Sequence, residues 1–331
     1  MTKSAFQRLS GTDALPLTLR DCVVAIGNFD GVHRGHQAVL ERALELADRD
    51  NLPAVVLTFE PHPRSFFKPD EPIERLTDAV EKAEILRLMG FDAVVEQPFT
   101  AEFSGQSAED FVRNILVDRL HASRVVTGYD FHFGKGRRGT PQFLEEAGQS
   151  SGFSVSLVDA FSDEGGNLVS STRVRSLLCA GEVAEAAGLL GYRYRVSGEV
   201  IHGQKLGRTL GFPTANMVID DHVSLKHGIY AVRFRRADGV LHDGVASFGR
   251  RPTVASDGKP LLETFVFDFT GDLYGEIVEV SFFGYLRGEV KFDGLDPLIE
   301  QMKRDEEESR AILAGAKPLS ELDRLLSFPA Y

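Results

Sequence analysis

The stretch Val23–Leu40 constrains this chain more than any other, because it can only be a strand, a tight turn and a helix in that order. The apolar run Cys22–Ile26 reads as a buried strand. It breaks at Gly27 and turns through Asn28, Phe29, Asp30 and Gly31. Helical spacing then begins, with Val39, Leu40, Ala43, Leu44, Leu46 and Ala47 on one face of a 3.6-residue period. A strand that stops at a Gly-rich turn and feeds a helix forms an anion site: the first free N–H groups point outward, with roughly half a positive charge behind them. Gly35 lets a ligand approach the backbone closely. His33 and His36 lie three apart and flank it, so two imidazoles can reach one phosphate. The spacing does not fit GxGxxG, and most turns of this kind bind nothing. Two His and an Asn in one turn favour phosphate chemistry over a purely structural turn.

A chain of 331 residues is expected to hold two domains. Its net charge of −12 argues against a nucleic acid or an anionic membrane as the main partner. Nucleotides remain compatible if positive groups are concentrated locally. The cysteines, Cys22 and Cys179, form no CxxC pair and no disulfide framework. Met1–Leu19 is mixed and polar, with no apolar run of signal-peptide type. No stretch is long enough to span a bilayer. Together these predict a cytoplasmic chain; whether it forms a homo-oligomer stays open.

After a lead-in of about twenty residues, strand and helix patterns alternate. Strands are expected at Cys22–Ile26, Ala54–Thr58, Ala93–Glu96, Arg124–Thr127 and Ser154–Val158. Helices are expected at Gly35–Arg49, Asp78–Met89, Ala108–Leu120 and Pro141–Ser150. This α/β alternation predicts a parallel sheet covered on both faces, with ligands beyond the carboxyl ends of its strands. Polar clusters fall there: Phe59–Pro63, Gly128–Gly139 and Ser170–Arg175. Ser171 and Thr172 are good helix caps, and with Arg173 and Arg175 they also offer donors and cations to a phosphate chain. Lys135, Arg137 and Arg138 form a positive patch that reads equally as a solvated loop.

Around Leu178–Tyr192 the pattern is helical but broken by glycines, and a domain boundary is placed there, giving residues 1–187 and 188–331. Beyond it, period-two runs separated by Gly turns predict an antiparallel barrel or sandwich: Tyr194–Ile201, Gly228–Arg235, Val240–Ser247, Leu262–Phe269 and Ile277–Phe283. Helices at Asp296–Leu313 and Leu319–Leu326 close the chain. The segment Gly203–Asn216 is glycine-rich, and it includes Lys205, Gly207 and Arg208. It is one residue short of a P-loop and lies in a β context, so it is not one. Thr214 and Asn216 alternate, so in an extended chain their hard oxygens face the same way, as Mg²⁺ ligands do. A polar strand edge is the other reading. Glu263 sits in an apolar strand on the same face as Phe265 and Phe267, either as a general base or as an ion-paired strand residue.

These motifs together resemble the bacterial bifunctional riboflavin kinase/FMN adenylyltransferase family, also called FAD synthetases, over nearly the whole chain. Gly27–His36 looks like that family's version of the nucleotidyltransferase HxGH motif, and Phe59–Pro63, Gly128–Gly134 and Ser170–Arg175 match its later motifs in order. Gly207–Asn216, Gly228–Tyr230, Arg251–Thr253, Leu273–Gly275 and Leu286–Phe292 resemble the riboflavin kinase module. The resemblance implies a Rossmann-like nucleotidyltransferase domain followed by an antiparallel β-barrel kinase domain with a terminal helix. The implied reactions are riboflavin + ATP to FMN + ADP, then FMN + ATP to FAD + pyrophosphate. It also implies roles. Glu263 would be the kinase base, and Thr214 and Asn216 the Mg²⁺ ligands. The loop with Gly203, Lys205, Gly207 and Arg208 would hold ATP phosphates. His33, His36, Gly35, Ser171, Thr172 and Arg173 would serve adenylyl transfer, with Gly27, Asn28, Asp30 and Asp130 at the nucleotide. The sequence departs from the pattern at Ser247, where Asn is usual, near Phe265, where His is common, and at Gly294, where Ser is. The competing reading is a nucleotidyltransferase for another phosphate substrate, carrying a non-catalytic flavin-sensing C-terminal domain.

Overall fold

The computed structural model describes residues 5–203, 211–219, 223–250 and 260–329. Contacts divide the chain into two compact units. One comprises Met1–Ile73 with Thr77–Ser170, the other Glu74–Leu76 with Ser171–Tyr331.

The first unit is a six-stranded parallel sheet in the order β1-β4-β3-β2-β5-β6. Its strands are β1 (Gln7–Ser10), β2 (Val23–Ile26), β3 (Ala54–Glu60), β4 (Ala93–Pro98), β5 (Arg124–Gly128) and β6 (Ser154–Val158). Between them lie α1 (Arg34–Asp50), α2 (Pro63–Phe67), α3 (Ala79–Met89), α4 (Ala101–Ser104), α5 (Ala108–Asp110) and α6 (Pro141–Ser151). The chain continues from α5 into a π-helical stretch, Phe111–Val117. β2 is buried along its whole length, as a central strand covered on both faces must be. One face packs on the cluster that includes Val24, Ile26, Val55, Leu57, Phe111 and Ile115. The lead-in segment is not loose: β1 adds a parallel edge strand beside β4, with Leu9 opposite Val95. Four residues give too short a period for the sequence pattern to register. Strand order reverses between β2 and β5, so the loops after these two strands diverge and open a crevice at their carboxyl ends.

The second unit opens with α7 (Ser171–Ala180) and α8 (Val183–Leu190), followed by a closed barrel in the order β10-β11-β8-β7-β12-β9, every pair antiparallel. The strands are β7 (Arg195–Ile201), β8 (Thr214–Val218), β9 (Gly228–Arg235), β10 (Leu241–Arg250), β11 (Pro260–Val266) and β12 (Ile277–Arg287). Alternation sends Tyr230, Val232, Phe234, Leu262, Val280 and Phe282 into the barrel. The opposite faces of β9 and of the segment after β11 supply Ala231 and Phe267, which pack with Phe283, Leu313 and Phe328. Leu313 lies on α9 (Leu295–Gly315), and Phe328 follows α10 (Glu321–Ser327). α10 is tied down by Asp323, which is fully buried and accepts from the Arg193 guanidinium and the Arg193 and Leu319 backbone N–H groups.

Neither cysteine is in a disulfide. Cys22 is buried at the start of β2, donates to the Leu120 carbonyl, and burial pushes its thiol up to about 12. At pH 8 only about one Cys22 side chain in 10⁴ is then a thiolate. Cys179 is exposed. Alkylation of the native protein at pH 8 should therefore label Cys179 alone, and denaturation should release the second thiol. Mass spectrometry of the labelled protein reads the result directly.

Candidate functional site

The turn after β2 is held in a costly conformation. Phe29 and Val32 have positive φ angles of 48° and 35°, and for a β-branched residue such as Val32 this is a strained position. Several contacts keep it there. The Gly31 N–H donates to Thr77 Oγ1 at 3.0 Å, and the Thr77 N–H reaches Asp30 Oδ1 at 3.4 Å. Val32 N–H donates to the Phe29 carbonyl. A Cβ on Gly27 would sit 2.9 Å from the Phe29 ring, so any side chain there would push that ring aside.

His33 is the N-cap of α1. Its Nδ1 accepts from the His36 backbone N–H at 3.3 Å, so in the neutral ring the proton sits on Nε2. Its ring is buried and stacked on His36, with centroids 3.6 Å apart and planes 16° from parallel. Phe29 meets His36 edge-on at 5.5 Å. A Cβ on Gly35 would lie 3.2 Å from the His33 ring and 3.4 Å from the Val169 carbonyl, which accounts for glycine there. The first turn of α1 thus combines the backbone N–H groups of Arg34 and Gly35, a dipole and two imidazoles. Arg34 pairs with Glu164 at 2.8 Å and lies 4.9 Å over the Phe161 ring. Backbone N–H donation at Glu164, and then Arg34, hold the Glu164 carboxyl below its usual range.

The remaining sequence-derived positions of the first unit end at the same edge of the sheet. Asn28 is half-buried and Asp30 buried in the turn after β2. Asp130 is exposed beyond β5, where its carbonyl contacts His132 Nδ1 at 2.8 Å. His62 caps α2, accepting from the Arg64 N–H at 3.1 Å, and α2 ends in Phe67, which is 64% exposed although it belongs to a chain of rings with Phe66 and Phe99. Lys135, Arg137 and Arg138 are exposed. Ser171, Thr172 and Arg173 form the first turn of α7, in the second unit. Sequence reasoning missed Lys82. It is buried on α3, and its Nζ donates to the Asn28 carbonyl, Thr58 Oγ1 and Glu60 Oε1.

In the barrel, register brings the second set of residues together. Asn216 of β8 lies directly opposite Glu263 of β11, and Glu263 lies opposite Ser247 of β10. Thr214 is opposite Phe265 in the next row on the same face. Directly opposed side chains have Cβ atoms roughly 5 Å apart, so Asn216 and Glu263 share one patch. That patch is on the outer face of the barrel, since Leu262 and Thr264 point inward. Asn216 is buried, and its Nδ2 donates to the Thr214 carbonyl at 3.1 Å, leaving Oδ1 as the amide's acceptor. A Cβ on Gly203 would fall 2.4 Å from the Asn216 amide, so this glycine makes room for it. Lys205, Gly207 and Arg208 lie outside the described residues, as does Arg251–Thr253. Ser247, a departure from the family pattern, sits in the same row as the proposed base. Gly294 has φ 139° and leaves α9 without a side-chain cap, a conformation that favours glycine over the usual Ser. Among the described residues no group of three or more His, Cys, Asp or Glu side chains is placed to hold a metal.

Known proteins resemble this chain in both of its halves. The family model described as FAD synthetase matches residues 16–173, and the one described as riboflavin kinase matches residues 190–313. The chain belongs to the family of bifunctional riboflavin kinase/FMN adenylyltransferases. Relatives of that name from Listeria monocytogenes and Escherichia coli K12 are each 41% identical, covering 88% and 90% of this chain and 92% and 94% of theirs. The relative from Pseudomonas fluorescens is 43% identical over 89% of this chain and 94% of its own. A solved chain from Streptococcus pneumoniae, titled a macrolide-efflux protein, shares the fold with a TM-score of 0.81 and 32% identity, covering 93% of this chain and 99% of that one. Among the described residues no helix is long and apolar enough to cross a membrane.

Gly203→Ala tests the barrel geometry. A methyl overlapping the Asn216 amide forces that side chain to move, at about 1–3 kcal/mol, and the same loss in the transition state would lower riboflavin phosphorylation roughly 5- to 150-fold. Adenylylation of supplied FMN, followed by chromatography, should not change.

Proposed function

We infer that the two regions run successive steps of flavin cofactor synthesis: riboflavin phosphorylation on the barrel, then adenylylation of the resulting FMN at the carboxyl end of the parallel sheet. The observation that carries this reading is the pairing of two unlike sites in one chain, a capped and stacked His33–His36 pair at a helix N-terminus and an Asn216–Glu263–Ser247 row on a barrel. The functional division is placed at residues 1–187 and 188–331. α7 stays with adenylyl transfer in this division because the resemblance assigns Ser171, Thr172 and Arg173 to that step.

The two steps ask for different help. The kinase nucleophile is a ribityl hydroxyl, protonated at neutral pH, so a base raises the rate, and Glu263 is the carboxylate beside Asn216. Thr214 Oγ1 and Asn216 Oδ1 are hard oxygen donors of the kind Mg²⁺ takes, and the ion when bound would neutralise charge on the ATP phosphates. Gly203, Lys205, Gly207 and Arg208 are assigned to the ATP phosphates. In the second step the FMN phosphate is already an anion, so no base is needed. The His33 and His36 imidazoles and the Arg34 and Gly35 N–H groups of α1 stabilise charge developing on the α-phosphate, and by the resemblance Ser171, Thr172 and Arg173 take the leaving pyrophosphate. Gly27, Asn28, Asp30 and Asp130 shape the nucleotide side of the crevice. The exposed Phe67 ring offers an apolar surface to a planar flavin. The two free thiols fit a cytoplasmic setting.

Two variants separate the steps. His36→Ala should lower FAD formation at least ~100-fold while FMN accumulates from riboflavin. Glu263→Ala should block FMN formation from riboflavin by a similar factor, about 10²–10⁴-fold, while supplied FMN is still converted to FAD. Both are read by chromatography of flavins after incubation with ATP and Mg²⁺. FAD synthesis at the wild-type rate in His36→Ala, or retained phosphorylation in Glu263→Ala, would overturn the corresponding assignment.

A further inference from the structure

Lys82 occupies a position in α3 where an apolar residue belongs. It shares a helix face with Ile85 and Leu86, both fully buried, and its own side chain is 3% exposed. Lysine is almost never buried without a partner, because removing an ammonium from water costs several kcal/mol. Here its three N–H bonds find three acceptors: the Asn28 carbonyl at 3.0 Å, Thr58 Oγ1 at 3.1 Å and Glu60 Oε1 at 3.3 Å. Thr58 Oγ1 in turn donates to the same Asn28 carbonyl at 3.2 Å. One carbonyl of the turn after β2 thus receives two hydrogen bonds from beneath.

That carbonyl belongs to the peptide that joins Asn28 to Phe29. Fixing its plane fixes the direction from which Phe29 enters its positive-φ conformation, and Phe29 is the ring that meets His36 edge-on at 5.5 Å. We propose that Lys82 is a positioning residue for adenylyl transfer, a buried ammonium that locks the Asn28 peptide and through Phe29 sets the place of the His36 imidazole. It touches no substrate. It acts by holding a strained turn that would otherwise relax, with Glu60 supplying the counter-charge from the end of β3.

The inference rests on the assignment of adenylyl transfer to this end of the sheet, so the test carries His36→Ala beside it. Lys82→Met keeps the length and removes charge and donors. FAD formation from supplied FMN should fall about 10–100-fold in kcat, with the ATP KM changed by less than about 3-fold, because transition-state contacts are misplaced rather than binding contacts removed. Riboflavin phosphorylation in the same chain should stay at wild-type level. The ring ¹H–¹⁵N resonances of His36 should shift. Lys82→Gln, which keeps a neutral donor toward the Asn28 carbonyl, should recover part of the lost kcat. Wild-type FAD formation in Lys82→Met, beside an inactive His36→Ala, would overturn the role of Lys82 alone. Full activity in His36→Ala would overturn the underlying assignment instead. If Lys82→Met loses both activities, Lys82→Gln decides: a selective loss of FAD formation supports the proposal, and equal loss of both activities makes Lys82 a residue of general stability and refutes it.

Discussion

The hydrogen bond from the His36 backbone N–H to His33 Nδ1 is the contact on which the first site depends. It starts α1, and so decides where the free N–H groups and the positive end of the dipole point. A Ser or Asp would cap the helix at least as well. Ser would bring no ring, and Asp would put a negative charge at the positive end of the helix, where it would repel any anion. An imidazole that caps through Nδ1 is held in the tautomer that offers Nε2–H as a donor, and its buried face stacks on the second imidazole. Capping, tautomer and ring stacking are thus one interaction, and Gly35 is the residue whose missing side chain lets the rings and the Val169 backbone crowd so close.

The barrel reaches its site by another route. No helix terminus or strained turn places Asn216 against Glu263; the antiparallel register does. Since side chains alternate between faces, a slip of one residue in β11 would turn Glu263 inward among Tyr230 and Phe282 and bring Leu262 and Thr264 outward, and a slip in β8 would turn Asn216 inward. The core therefore enforces the site: burying a carboxylate in an apolar barrel is costly enough to exclude the slipped register. Closure of the sheet adds to this, because each strand is held by a neighbour on both sides. The Arg287–Asp305 pair, with two contacts of 2.8 and 2.6 Å, ties β12 to α9 beside the same barrel.

Much of this was legible in the sequence, for identifiable reasons. β2 and α1 announced themselves because a fully buried strand and a 3.6-residue apolar stripe leave strong patterns. Five of the six barrel strands were visible by their alternation, and Glu263 stood out as a lone acid within it; β8, five residues long, was read only as a segment with Thr214 and Asn216 on one face. β1 was not visible, since an edge strand of four residues has too little pattern. The stacking of His33 on His36 was not visible either: their spacing allowed two rings to converge, but φ angles of 48° and 35° at Phe29 and Val32 are a tertiary outcome. Lys82 was hidden for the opposite reason. A lysine in an amphipathic helix reads as solvent-facing, and only the place of Asn28, Thr58 and Glu60 in space shows that it points the other way. The one available signal was its phase, in register with Ile85 and Leu86 rather than with the polar face.

A chain of net charge −12 that handles ATP and FMN, both anionic, cannot attract them by its overall field. Attraction has to be local, and beside the exposed Lys135, Arg137 and Arg138 the first unit offers donors that carry no charge. The α1 terminus and the His33 Nε2–H offer donors that need no counter-ion. Arg34, the nearest arginine in the sequence, is already paired with Glu164 and stacked on Phe161. Lys82 is a full charge, but Glu60 lies beside it and its ammonium is spent on a carbonyl and a hydroxyl. Oriented neutral dipoles have an advantage over free cations here. They are fixed before a substrate arrives, so they cost no reorganisation in the transition state.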